Sequence, residues 1–131
     1  MTNPYGGLFV EEGSQLDEQV STGLTGLVRL ARGKDILVPD AGFERLSAVQ
    51  KVVVYALARF AVARSGEVTD VPLAATSKDY SRALALDLKA CQDILSRLQR
   101  RHILAREGRG CAILTAAIPK ALAMLKNDRA K

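Results

Sequence analysis

The sequence contains no tryptophan and only three tyrosines and three phenylalanines among its 131 residues. A core must therefore be aliphatic, built from Leu, Val, Ile and Ala, and such a core suits packed helices. Two cysteines, Cys91 and Cys111, are too few for a secreted disulfide framework. With one histidine, His102, and no cysteine pair at ligand spacing, no zinc site is expected. The longest apolar run, Val52 to Ala58, is far shorter than a membrane span. The N-terminus lacks a basic leader segment, and its apolar run Leu8 to Val10 stops at Glu11 and Glu12. The expected location is therefore cytoplasmic, with no membrane partner. No Gly-rich phosphate loop, nucleophile elbow or paired-carboxylate motif is present, so neither an enzyme nor a cofactor is expected.

What remains has the composition of a soluble globular domain, 48% apolar and 25% charged. The formal net charge is +5, unevenly spread. Residues 1–47 carry four basic and seven acidic side chains, whereas the remainder carries fifteen basic and seven acidic ones. A basic module with an acidic extension is the arrangement this suggests, and basic modules favour polyanionic partners.

Local signals divide the chain. Ser14 is a candidate N-cap for a helix whose apolar positions are Leu16, Val20, Leu24, Leu27, Val28 and Ala31, with Gly33 as its C-terminal stop. Gly23 and Gly26 weaken that helix but permit close approach of another backbone. Lys34 to Gly42 reads as a connector. Ser47 and Gln50 have capping-box spacing, and Val49 to Ala61 then follows a helical period, ending near Arg64. Val71-Pro72-Leu73 predicts a short extended piece, and Thr76 or Ser77 caps a small helix holding Tyr80, Ala83 and Leu84. Asp87 caps a longer helix to about Arg101 with an apolar stripe of Cys91, Ile94, Leu95 and Leu98. Two β-compatible runs, Ile103–Glu107 and Cys111–Thr115, flank Gly108-Arg109-Gly110 as a hairpin. A last helix starts near Pro119.

The order from Ser47 onward, and above all the stretch from Leu84 to Thr115, resembles a winged helix-turn-helix domain. Leu84 and Leu86 stand at the family's Leu-x-Leu turn, Asp87 at the cap before its recognition helix, and Arg100-Arg101-His102 before its first wing strand. Two positions depart from the pattern. Ala85 and His102 stand where such domains commonly place glycine. The expected fold class is mainly α with a small β-hairpin: a winged helix-turn-helix over 46–127, an N-terminal helical extension over 1–45, and a tail over 128–131. The resemblance implies double-stranded DNA as partner, the helix 87–101 in the major groove and the 103–115 hairpin as wing.

The same chemistry follows from the residues. With its apolar stripe inward, the 87–101 helix presents Lys89, Asp93, Ser96 and Arg100, flanked by Gln92 and Arg97. Arginine and lysine suit guanine or phosphate, and glutamine suits adenine. Lys89, Gln92, Ser96 and Arg97 rank above Arg100 and Arg101, because the N-terminal half of such a helix usually enters the groove. A solvated helix face is the competing reading. Asp93 favours it by repelling phosphate, or else accepts from cytosine N4. Arg109, between two glycines and beside Arg106, is either a minor-groove reader or a solubilising turn residue. Ser77 and Lys78 at a helix N-terminus could hold a phosphate.

The N-terminal helix must bury its stripe, either on its own domain or against a second copy; the second choice makes a homodimer on two half-sites. A DNA-binding transcriptional regulator is the leading expectation. The rival is a winged-helix module for protein contacts in a larger assembly, without specific DNA binding. A thiol sensor at Cys91 or Cys111 is a third reading that burial of both sulfurs dismisses.

Overall fold

The computed structural model describes residues 12–30, 37–65 and 73–126. Helix α1 (Glu12–Leu24) is followed by strands β1 (Val28–Leu30) and β2 (Leu37–Pro39), helices α2 (Ala48–Ser65), α3 (Ser77–Leu84) and α4 (Leu88–Arg100), strands β3 (Leu104–Glu107) and β4 (Gly110–Ile113), and helix α5 (Ile118–Lys126). The architecture is mainly helical, with two small antiparallel hairpins among the described residues. No helix among them is long and apolar enough to cross a membrane.

α2 is the hub. The Ser47–Gln50 box closes its first turn, with Ser47 N donating to Gln50 Oε1 at 2.9 Å and Gln50 N to Ser47 Oγ at 3.2 Å. Every residue from Val52 to Phe60 is buried. A helix apolar on nearly all sides belongs at the centre of a bundle. It packs against α1, α3, α4, α5 and β4, and one continuous core runs from Val20 to Leu125.

The N-terminal segment departs from the expected long helix. α1 begins at Glu12, so Ser14 lies inside its first turn, and it ends at Leu24 instead of continuing to Arg32. Gly26 at φ +86° turns the chain into a conformation that glycine adopts freely. Asp40 N donates to Leu27 O and Gly42 N to Gly26 O, which folds the expected connector back as β2. Leu27 and Val28 therefore belong to a turn and a strand, while Ala31, Gly33 and the first residues of the expected connector lie outside the described residues. The helix stripe that remains, Val20 and Leu24, is buried against α2 and α5 of the same chain. Of the two ways to cover it, the intramolecular one is realised. Gly23 lets α5 come close, since a Cβ there would collide with the Leu122 side chain.

α3 and α4 begin as their sequences dictate. Thr76 and Asp79 form a reciprocal capping box, and Asp87 Oδ2 accepts from Ala90 N at 3.2 Å. Both helices end with a left-handed residue, Ala85 at φ 55° and His102 at φ 60°. Leu86 N reaches Ser81 O, Ile103 N reaches Leu98 O and His102 N reaches Gln99 O. These bonds satisfy the last carbonyls of each helix and require the left-handed residue that glycine normally supplies. Ala85→Gly should therefore stabilise the protein by about 1 kcal/mol, since a Cβ in this region costs roughly 1–2 kcal/mol and glycine's extra unfolded-state entropy offsets part of it. Thermal denaturation should show a melting point several degrees higher.

The expected extended piece at Val71-Pro72-Leu73 falls mostly outside the described residues. Extended pairing occurs at Ala75, which exchanges two hydrogen bonds with Cys111, 3.0 and 2.8 Å long. The chain before α3 is thus joined to β4, and β4 lies between Ala75 and β3.

Candidate nucleic-acid interface

α4 is strongly two-sided. Cys91, Ile94, Leu95 and Leu98 are buried against the core, while Lys89, Gln92, Asp93, Ser96, Arg97 and Arg100 are exposed. At 13 residues it is about 20 Å long, enough to lie along a major groove. The inner stripe locks the helix in rotation, so its outer face is fixed by packing and not by its own polar contacts. Among the described residues, none of Lys89, Arg97 and Arg100 pairs with a carboxylate. The ion pairs Arg29–Asp40 and Arg64–Asp17 lie on the N-terminal side of the molecule.

The β3–β4 hairpin follows. Its register pairs Leu104 with Ile113, Ala105 with Ala112, Arg106 with Cys111 and Glu107 with Gly110. Leu114 N donates to Ile103 O at 3.0 Å and extends the ladder by one pair. The turn is therefore Gly108-Arg109, shorter than the expected Gly108-Arg109-Gly110. Gly108 has φ +60°, as the first position of a tight hairpin turn requires. Gly110 is a strand residue, and its missing side chain serves a different need: a Cβ there would stand 2.8 Å from the Ala75 carbonyl. Arg109 is exposed at the tip, with Arg106 exposed on β3.

The base of the hairpin is held from several sides at Cys111. Besides the Ala75 bridge, Tyr80 OH donates to Cys111 O at 3.3 Å and Gln99 Nε2 to Cys111 Sγ at 3.1 Å. Tyr80 is fully buried and meets Tyr55 edge-on at 4.9 Å. Burial holds its phenol well above the usual range, with a smaller contribution from the neighbouring Cys111. Both cysteines are buried. Burial raises the Cys91 thiol pKa, and Asp87 adds to it; burial also raises Cys111, against smaller lowering by Arg106 and Gln99. Buried thiols held neutral are poor nucleophiles, which dismisses the thiol sensor.

Lys78 is exposed and Ser77 half-buried at the start of α3. The Asp79 carboxylate closes the same turn through Thr76 N, so a phosphate there would meet a negative charge one turn in. The sequence did not single out Arg59. It is buried in α2, with Nη1 donating to Tyr55 OH at 3.1 Å and Nη2 to Ala74 O at 3.0 Å. It ties the hub to the segment that pairs with the hairpin. The signal for it was an arginine inside an otherwise uninterrupted apolar run, Val52 to Val62.

Over 73–126 there are ten basic and four acidic residues. Two of the four, Asp79 and Asp87, are engaged as helix caps. The described part of this region therefore presents cations largely without internal counterions. Among the described residues no group of three His, Cys, Asp or Glu is placed to hold a metal ion. Comparison with family models, with curated proteins and with solved structures returns no match.

Proposed function

We propose that this chain is a duplex-DNA-binding protein of the winged helix-turn-helix type, a transcriptional regulator that lays α4 in the major groove and uses β3–β4 as a wing. The observation that carries the reading is the outer face of α4. It is rigidly oriented by a fully buried inner stripe, it is entirely exposed, and its cations have no carboxylate partner within the described residues. The order of α3, a tight left-handed turn, α4 and an arginine-tipped hairpin supports the same reading. So does the bridge from Ala75 to β4, which gives the hairpin a third, minimal strand. In this reading Lys89, Gln92, Ser96 and Arg97 face base edges, Arg100 and Arg106 face the backbone, and Arg109 enters the minor groove, while Ser77 and Lys78, beside the Asp79 carboxylate, are left out of the contact. The sequence selected from a random pool also reports the number of copies bound: a two-fold symmetric site requires two.

The test is the affinity for selected and random duplexes at several salt concentrations. If about five phosphates are neutralised per protomer, log K should fall against log[salt] with a slope near −4.5. Binding should then weaken roughly 500-fold between about 50 and 200 mM salt. Arg97→Ala or Gln92→Ala should lose about 1–3 kcal/mol on the selected site and relax preference at one base pair. Arg109→Ala should reduce discrimination for A·T-rich flanks and leave the central preference intact. A flat salt response, with all three variants binding as the parent does, would leave the protein-contact reading in its place.

A further inference from the structure

We infer that Asp93 is a specificity-determining residue, a carboxylate that selects cytosine in the duplex and opposes binding to phosphate; this rests on the DNA-binding reading above. At about 100° per residue, Lys89, Asp93, Ser96 and Arg100 line the pole of α4 opposite its buried stripe. Asp93 is thus at the centre of the face that would meet the groove. Among the described residues its carboxylate makes no hydrogen bond and no ion pair. Lys89 and Arg97 stand one turn to either side, at the spacing where helical ion pairs form, and neither is paired with it. Asp79 and Asp87, by contrast, are each explained by a cap. Asp93 has no comparable part in the fold.

A carboxylate only accepts hydrogen bonds. Against a phosphate it is repulsive even in water. Within a major groove the available base donors are the exocyclic amines of cytosine and adenine. The adenine amine lies between two acceptors, its own N7 and thymine O4. The cytosine amine has an acceptor, guanine O6, on one side only. The electrostatic cost to an incoming carboxylate is therefore lower at cytosine. Gln92, which can donate as well as accept, is the matching group for adenine one position away. The face then carries a built-in penalty for non-specific contact that a correctly placed cytosine removes.

The test uses the full-length chain, its selected duplex, the same duplex altered one base pair at a time, and a random duplex. Asp93→Ala, which removes the acceptor as well as the charge, should melt as the parent does, because the side chain is exposed. It should bind random duplex several-fold more tightly. Its preference for one C·G pair should fall by about 5- to 150-fold, the range for a lost base-specific contact. Altering that pair should then cost the variant almost nothing. If Asp93→Ala tightens binding equally on every duplex and every altered site, Asp93 reads no base and the proposal is overturned. If the parent binds no duplex at low salt, the DNA-binding reading itself fails, and the proposal with it. The two failures are told apart by the parent's own affinity.

Discussion

Leu24→Asp should unfold or nearly unfold this protein. Leu24 is 5% exposed, on the α1 stripe that packs against α2 and α5. Aspartate at that position must either bury a charge without a partner or pull α1 off the core and expose Val20 with it. Each course costs about 4 kcal/mol or more. Small domains have roughly 5–15 kcal/mol of total stability, so the loss is a large part of the whole. The melting temperature should fall by about 15 °C or more for a chain of this size. Circular dichroism against temperature, with sedimentation on the same sample, checks this. A variant with the parent's melting point but half its mass would instead put the stripe in a contact between two copies.

Two glycines two residues apart should respond very differently to the same substitution. Gly108→Ala meets nothing within 4 Å, so its cost is that of a left-handed backbone alone, about 1 kcal/mol. Gly110→Ala has no such backbone constraint, but its Cβ would stand 2.8 Å from both the carbonyl carbon and the oxygen of Ala75. A main chain held by two hydrogen bonds cannot yield as a side-chain tip can. The bridge to Cys111 must open, at about 3 kcal/mol. The order of stability expected from chemical denaturation is parent, then Gly108→Ala, then Gly110→Ala. Equal losses at the two sites would show that Ala75 is not locked to β4.

Signals carried within one turn of the chain were legible in the sequence. Ser47 with Gln50, and Asp87, each cap a helix as their spacing implies, because a cap involves neighbours three residues apart, and of the two candidates Thr76 and Ser77 it is Thr76 that caps. The inner and outer faces of α4 were legible for the same reason, whereas Ala85 and His102 stood out only through the resemblance, as positions where such domains commonly place glycine, and both are left-handed. Three things were not. β1 shares Val28 with the expected helical stripe, and Val28 fits both periods; the choice was made by Gly26 and by pairing with a segment whose residues lie seven to eleven positions away. Gly110 looked like part of the turn because its constraint, the Ala75 backbone, is remote in sequence. Arg59 was not singled out because its partners include Ala74, on a segment whose position no local pattern specifies. For the candidate interface, the sequence supplied the residues, and packing supplied the fixed orientation of the helix that carries them.

The meeting of α1 with α5 bears on how the chain matures. Their contact at Gly23 and Leu122 joins positions about a hundred residues apart, and α2 is covered from both directions. Closing so long a loop is slow relative to forming local helices and turns. A chain emerging from the ribosome can form the capped helices as they appear, but Val20 and Leu24 stay without their second wall until α5 is made. The vulnerable interval therefore lies between the synthesis of α4 and that of α5, when most of the apolar surface of this domain exists and its last cover does not. Proteolysis of a chain ending before Ile118 and of one that includes all of α5 to Lys126 should show α1 protected only in the second.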